Sequence, residues 1–196
     1  MEKTWQMKLI LIILLATLGL GLYWLLSRPP VPKPYLESYR TALLSRPGSK
    51  HGIDSGLEQF RKTFADLASP ETEQHVLDLY AAQMYFNDTL KQFDRRETLA
   101  AYMGHMAASI ESSEVHVEQE LRDGSDVFLR WTMRFTSRAL GRNIVSETIG
   151  MTHLRFNDQG EVVLHQDFWD PASGLYRHLP LIGWLLDLVD RRLGPG

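Results

Sequence analysis

Near the end of this 196-residue chain a histidine and an aspartate stand two positions apart, in Val163-Leu-His-Gln-Asp-Phe-Trp169. Alternate side chains of an extended strand share a face, so His165, Asp167 and Trp169 point one way and Leu164, Gln166 and Phe168 the other. Neighbours on one face lie roughly 6.6 Å apart along the strand, near enough for an imidazole and a carboxylate to meet directly or through one water. Such a pair is material for general acid–base work. The same two groups can equally satisfy each other and nearby backbone as a structural hydrogen bond. A third acid, Asp88 in Tyr85-Phe-Asn-Asp88, suits the same chemistry, although an Asn-Asp step is also ordinary turn material.

Other chemistries lack their residues. The chain has no cysteine, which removes a thiol nucleophile, a disulfide scaffold and Cys-ligated zinc or iron–sulfur centres. Its seven histidines show no H-x-x-x-H or comparable pairing, so no metal site is expected. No Gly-rich phosphate loop or G-x-S-x-G elbow is present, and no cofactor is expected. A net charge of −3 and a pI near 6.2 give no footprint for nucleic acid.

Elements that could position these groups follow from hydrophobic period. Ser55-Gly-Leu-Glu58 reads as a capping box, and Leu57, Phe60, Phe64 and Leu67 follow at helical spacing, predicting a helix over 55–68. Ser69-Pro70-Glu71 opens a second helix, with Val76, Leu77, Tyr80 and Met84 on its apolar face. Asp94-Arg-Arg-Glu97 opens a third, lined by Leu99, Tyr102, Met103, Met106 and Ile110. The period then falls to two. Val115, Val117, Gln119 and Leu121 alternate with polar residues, Asp123-Gly124 signals a hairpin, and Trp131, Met133 and Phe135 alternate with Arg130, Thr132 and Arg134. Strands are predicted over 143–156 and 161–169. Three helices followed by an antiparallel meander read as α+β. A sheet bent around helices leaves a cone with a cavity, walled by Phe64, Tyr80, Trp131, Met133, Phe135 and Leu154 unless these simply pack as core. Such a wall with a few polar groups suits a small, largely apolar ligand. His153 is read with Arg130, Arg134 and Arg155 as an outer polar face, which could instead pair with another subunit. Residues 181–193 predict a C-terminal amphipathic helix that packs on the domain or rests on a bilayer.

At the other end, Leu9 to Leu26 contains no charge over eighteen residues. As a helix this spans roughly 27 Å, close to the hydrocarbon thickness of a bilayer. Trp5, Tyr23 and Trp24 flank it as interfacial aromatics do. The rival reading, a cleaved signal peptide, lacks an A-x-A-like exit: the segment ends in Ser27-Arg-Pro-Pro30. An uncleaved single-pass anchor is therefore expected. Basic residues on the two sides tie, and orientation stays open. The expected organisation is an anchor (1–27), a linker (28–53) stiffened by Pro29, Pro30, Pro32 and Pro34 with room for one short helix, and a globular domain (54–196).

Gly150-Met-Thr-His-Leu-Arg-Phe156, His165-Gln-Asp-Phe-Trp-Asp170 and Leu179-Pro-Leu-Ile-Gly183, in this order of elements, resemble the SnoaL-like branch of the nuclear-transport-factor-2-like superfamily. That branch includes ketosteroid isomerase and polyketide cyclases, and the likeness is to a bacterial subgroup, which implies the bacterial inner membrane as the setting of the anchor. The resemblance covers about residues 55–193 and implies three helices packed in the concave face of a curved antiparallel sheet. It also implies that His165, Asp167 and Trp169 point into the cone, and that Asp88 sits where the isomerases carry their general base. Their oxyanion-donating tyrosine falls on Phe64, which has no hydroxyl, and their protonated aspartate falls on Thr152. An oxyanion donor is typically worth about 3–4 kcal/mol of barrier, so efficient ketosteroid isomerisation is not expected. The resemblance leaves two expectations. One is a ligand-binding cone with cofactor-free isomerase, cyclase or dehydratase chemistry on Asp88, His165 and Asp167. The other is a non-catalytic assembly module, or homodimer, built on the sheet face.

Overall fold

The computed structural model describes residues 2–27, 35–139 and 142–194. The chain divides into two compact units, 1–35 and 36–196. The first contains helix α1 (Glu2–Leu26). Its stretch Trp5–Trp24 has a mean hydropathy of 2.0, buries nothing within the chain, and is long and apolar enough to cross a membrane. The four-proline spacer lies outside the described residues.

The second unit runs α2 (Leu36–Ser45), α3 (Ile53–Phe64), α4 (Thr72–Leu79), β1 (Tyr80–Asn87), β2 (Gln92–Arg95), α5 (Arg96–Ser109), β3 (Ile110–Asp123), β4 (Asp126–Ala139), β5 (Arg142–Phe156), β6 (Val162–Trp169), α6 (Pro171–Gly174), a 3-10 turn (Tyr176–His178) and α7 (Ile182–Leu193). The strands form one open sheet in the order β2-β1-β6-β5-β4-β3. Every pairing is antiparallel except β1 with β6. Register shifts in β3, between Ile110 and Ser112 and between Val117 and Gln119, put extra residues into that strand, and such bulges bend a sheet. Helices α3, α4 and α5 pack against the sheet through Leu57, Phe60, Val76, Leu79, Leu99 and Met103, all buried. Each such side chain contributes roughly 1.5–3 kcal/mol on burial.

Two readings of the sequence change and a third is filled in. Tyr80 and Met84 do not continue the second helix. It ends at Leu79, and the chain turns into β1 between β2 and β6. Spacing of four after Val76 fits a helix, but pairing on both sides decides in favour of a strand. Ser55 is not a cap: α3 begins at Ile53, and the Ser55 hydroxyl donates to the Gly52 carbonyl. Residues 36–45 are the short helix allowed for in the linker. They form α2, whose Tyr39, Ala42 and Leu43 pack on Tyr85 and Leu164 of the outer sheet face.

Candidate functional site

Strand β6 carries its residues on two faces as its period requires. Leu164 and Gln166 are buried beneath α2, and His165, Asp167 and Trp169 line a cavity on the concave side. The cavity has a volume of about 360 Å³. Phe60, Phe64, Met103 and Met106 wall it from the helices, and Val115, Val117, Trp131 and Met133 from the sheet.

One hydrogen-bonded chain crosses the cavity floor. The Trp131 indole N–H donates to Thr152 Oγ1 at 2.7 Å, and Thr152 in turn donates to Asp167 Oδ1. His165 Nε2 meets the same carboxylate oxygen at 2.9 Å, and its Nδ1 meets the Tyr80 hydroxyl at 2.6 Å. One assignment satisfies every partner: Tyr80 donates to Nδ1, and Nε2–H donates to Asp167 Oδ1. Burial pushes the Tyr80 hydroxyl well above its usual pKa, aided by Asp167 and Asp88, so it stays a donor. His165 is only 1 % exposed and is wedged among Phe60, Phe64 and Phe86. Asp167 Oδ2 accepts no hydrogen bond among the described residues, while its side chain lines the cavity. A carboxylate held by one oxygen and open at the other is arranged to take a proton from a bound molecule.

Cross-strand register explains the chain. Thr152 pairs with Asp167 and Trp131 with Gly150. A Cβ on Gly150 would lie 2.4 Å from the Trp131 ring, so only glycine lets the indole lie flat across β5 and reach Thr152.

Asp88 stands in the turn after β1. Its Oδ1 accepts from the backbone N–H groups of Leu90 and Lys91, at 2.8 and 2.7 Å, and its Oδ2 accepts from the Tyr102 hydroxyl at 2.7 Å. Burial raises its pKa above the ordinary carboxylate value; these hydrogen bonds pull it down, and the Asp167 charge adds to the rise. Trp169 closes this corner, its indole N–H donating to the Asp88 carbonyl at 2.7 Å.

The structure thus brings Asp88, His165 and Asp167 to one cavity, together with Phe64, Trp131, Met133, Thr152 and Trp169. Three expected wall residues lie elsewhere. Tyr80 is fully buried behind His165, and Leu154 is sealed in the core beneath it. Phe135 lines a neighbouring recess of about 330 Å³ that shares Leu67, Met106, Met133 and Trp169 with the cavity. Tyr102 was legible only as an apolar helix position. Its hydroxyl partner lies 14 residues upstream, and no spacing rule links them. Phe60 and Met103 sat on predicted helix faces but carried no signal for which part of the face meets a cavity. Among the described residues no group of three or more His, Asp or Glu is placed to hold a metal ion.

On the outer face Arg130 and Arg134 are exposed as read, and His153 and Arg155 are not. His153 is 2 % exposed, covered by α2. Its Nδ1 meets the Tyr39 hydroxyl at 2.7 Å and its Nε2 meets Asp126 Oδ1 at 2.6 Å, while Arg155 binds the same carboxylate at 2.5 Å and the Leu43 carbonyl at 2.8 Å. Burial lowers the His153 pKa against the pull of Asp126.

A family model for the SnoaL-like domain matches residues 61–165, more than half of the chain. The chain belongs to the SnoaL-like family. No curated protein sequence matches it. Among solved structures, the SnoaL-like domain resembles a protein from Shewanella denitrificans proposed to be a SnoaL-like polyketide cyclase. That match has a TM-score of 0.53 and 13 % identity, covering 60 % of this chain and 92 % of that one. A similarly described protein from Jannaschia sp. gives a TM-score of 0.52 at 14 % identity over 77 % and 99 % of the two chains. A nuclear-transport-factor-2-like protein of unknown function from Burkholderia pseudomallei gives 0.51 at 16 % over 64 % and 97 %. At these identities the likeness shows the SnoaL-like fold alone.

Proposed function

We propose that this chain is a membrane-tethered SnoaL-like protein that takes a small, largely apolar molecule into its cone and moves a proton on it without a cofactor. The observation that carries this reading is Asp167, held through Oδ1 alone by Thr152 and His165, at the wall of a largely apolar 360 Å³ cavity that Arg61, Asp88 and His116 also line. Asp167 is the base. His165 holds it in place and is itself held by Tyr80. Asp88, whose burial favours the protonated form, is the candidate acid on the same cavity. This division of roles fits isomerisation, cyclisation or dehydration of a molecule with an acidic C–H. The helix Trp5–Trp24 supports attachment to a bilayer.

Native mass spectrometry of detergent-extracted protein tests the binding step. A small apolar molecule should copurify, and Val117→Trp, which fills the cavity, should release it. A bare mass for both chains, in preparations whose circular dichroism is native, would remove the ligand reading. Turnover on a panel of enolisable ketones tests the chemistry. Asp167→Asn should lower it by about 10²–10⁴-fold, the usual worth of a general base, with losses in Asp88→Asn and His165→Asn as well.

A second reading rests on a separate surface. Val145, Ile149 and Met151 are exposed on the outward face of β5, Ile149 at 61 %. That patch supports assembly with a partner or a second copy through the open sheet. Loss of association in Ile149→Arg, with ligand retention unchanged, would favour it.

A further inference from the structure

Helix α7 has the composition of a packed helix but almost nothing packed on it. At about 100° per residue, Ile182, Leu185, Leu188, Val189 and Leu193 share one arc, and Asp187 and Asp190 lie opposite. In a helix docked on its own domain that arc is buried. Here all five are exposed, and Leu186 at the edge of the arc is half-buried; Trp184 beside them is 64 % exposed and Leu181 before them 76 %. Only Gly183 is buried, against the Arg177 carbonyl of the preceding 3-10 turn.

The charges on this segment are arranged as unevenly as its apolar groups. Asp187 and Asp190 would repel an anionic surface if free, but Arg177 ion-pairs with both. Arg191 and Arg192 in the last turn have no ion-pair partner among the described residues. Three arginines against two aspartates leave the segment with one net positive charge; Arg192 continues the apolar arc one turn past Leu188, at the helix's C-terminal end, and Arg191 lies off the arc. Aliphatic stems of arginine lie along apolar material while their guanidinium groups reach for phosphate. An exposed apolar arc with an interfacial tryptophan and unpaired arginines is the pattern of a helix lying in a headgroup layer.

We infer that α7 is a second membrane contact, which lays its Leu185–Leu188–Val189 face into the surface of a bilayer carrying anionic lipid. This inference rests on the tethered reading above. Nine residues separate α1 from α2, a tether of at most about 35 Å, so an anchored chain holds α7 at a high effective concentration near lipid. The weak affinity expected of one short helix then suffices.

The absence of cysteine permits a direct test in the full chain. Single-cysteine variants Leu188→Cys, Gln159→Cys and Leu15→Cys would carry a nitroxide in vesicles of phosphatidylcholine with about a quarter phosphatidylglycerol. The label at 188 should show several-fold greater relaxation by oxygen, relative to a water-soluble nickel chelate, than the label at 159. Arg191→Glu with Arg192→Glu should reverse this. A label at 188 as aqueous as that at 159, while the label at 15 is buried in lipid, would overturn the inference and leave the anchor standing. An aqueous label at 15 would overturn the anchor itself. Dipolar broadening between labels at 188 would mean that a second copy covers the helix, and would also overturn the inference.

Discussion

Two Tyr–His–Asp chains run through this domain, one on each side of the sheet. On the concave side Tyr80, His165 and Asp167 are joined at 2.6 and 2.9 Å; on the convex side Tyr39, His153 and Asp126 are joined at 2.7 and 2.6 Å. Each imidazole meets a phenol at Nδ1 and a carboxylate at Nε2, and each is buried. The difference lies at the carboxylate. Arg155 binds both oxygens of Asp126 and ties them to the end of α2, whereas among the described residues Asp167 is bonded through Oδ1 alone. The same three residue types are a clasp where the acid is neutralised and a candidate proton acceptor where it is not. Hydrogen-bond geometry alone does not separate the two roles.

The largest effect expected from this contrast is on stability. Asp126→Ala leaves the Arg155 and His153 groups buried without their partner and should cost about 3 kcal/mol, read by urea denaturation of the detergent-solubilised chain. Asp167→Asn, which keeps shape and loses only charge, should cost about 1 kcal/mol. Equal losses would make the inner chain a clasp as well. Next is Gly150→Ala. Its methyl group would displace the Trp131 ring and break the donor to Thr152, at an overpacking cost of about 1–3 kcal/mol. It should also abolish ligand retention without disturbing the α2 side.

The pH dependence is smaller and has a definite sign. The unfolded chain protonates His153 near its ordinary value of 6.5, and the folded chain only at lower pH, because burial disfavours the cation. Stability from this group is therefore complete above roughly pH 6.5 and is lost as the pH falls through the folded pKa. In His153→Gln the decline in melting temperature between pH 6.5 and 5 should flatten. The smallest effect is a titration. Tyr102→Phe removes a hydrogen bond that holds the Asp88 pKa down, so its carboxyl resonance should titrate at higher pH than in the wild type.

Much of the concave site was legible because period two is unambiguous over a long strand. His165, Asp167 and Trp169 share a face of β6 whatever covers the other. The pairing of Thr152 with Asp167 is different: cross-strand register depends on bulges and turns far from either residue. Strand β1 was hidden because Val76, Tyr80 and Met84 also satisfy a helical repeat, and only pairing with β2 and β6 decides between them. The burial of His153 was hidden because α2 reads as a polar stretch. Its contribution is three residues, Tyr39, Ala42 and Leu43, too few to stand out beside a proline run.

Helix α2 also fixes where the chain can be cut. A shortened, anchor-free version beginning at residue 54 would strip the cover from Tyr85, Leu164 and His153 and strand Arg155 without its carbonyl acceptors. Such a fragment would present fresh apolar surface beside the patch at Ile149 and should precipitate. One beginning at Tyr35 retains the cover, and is the piece to express for crystals.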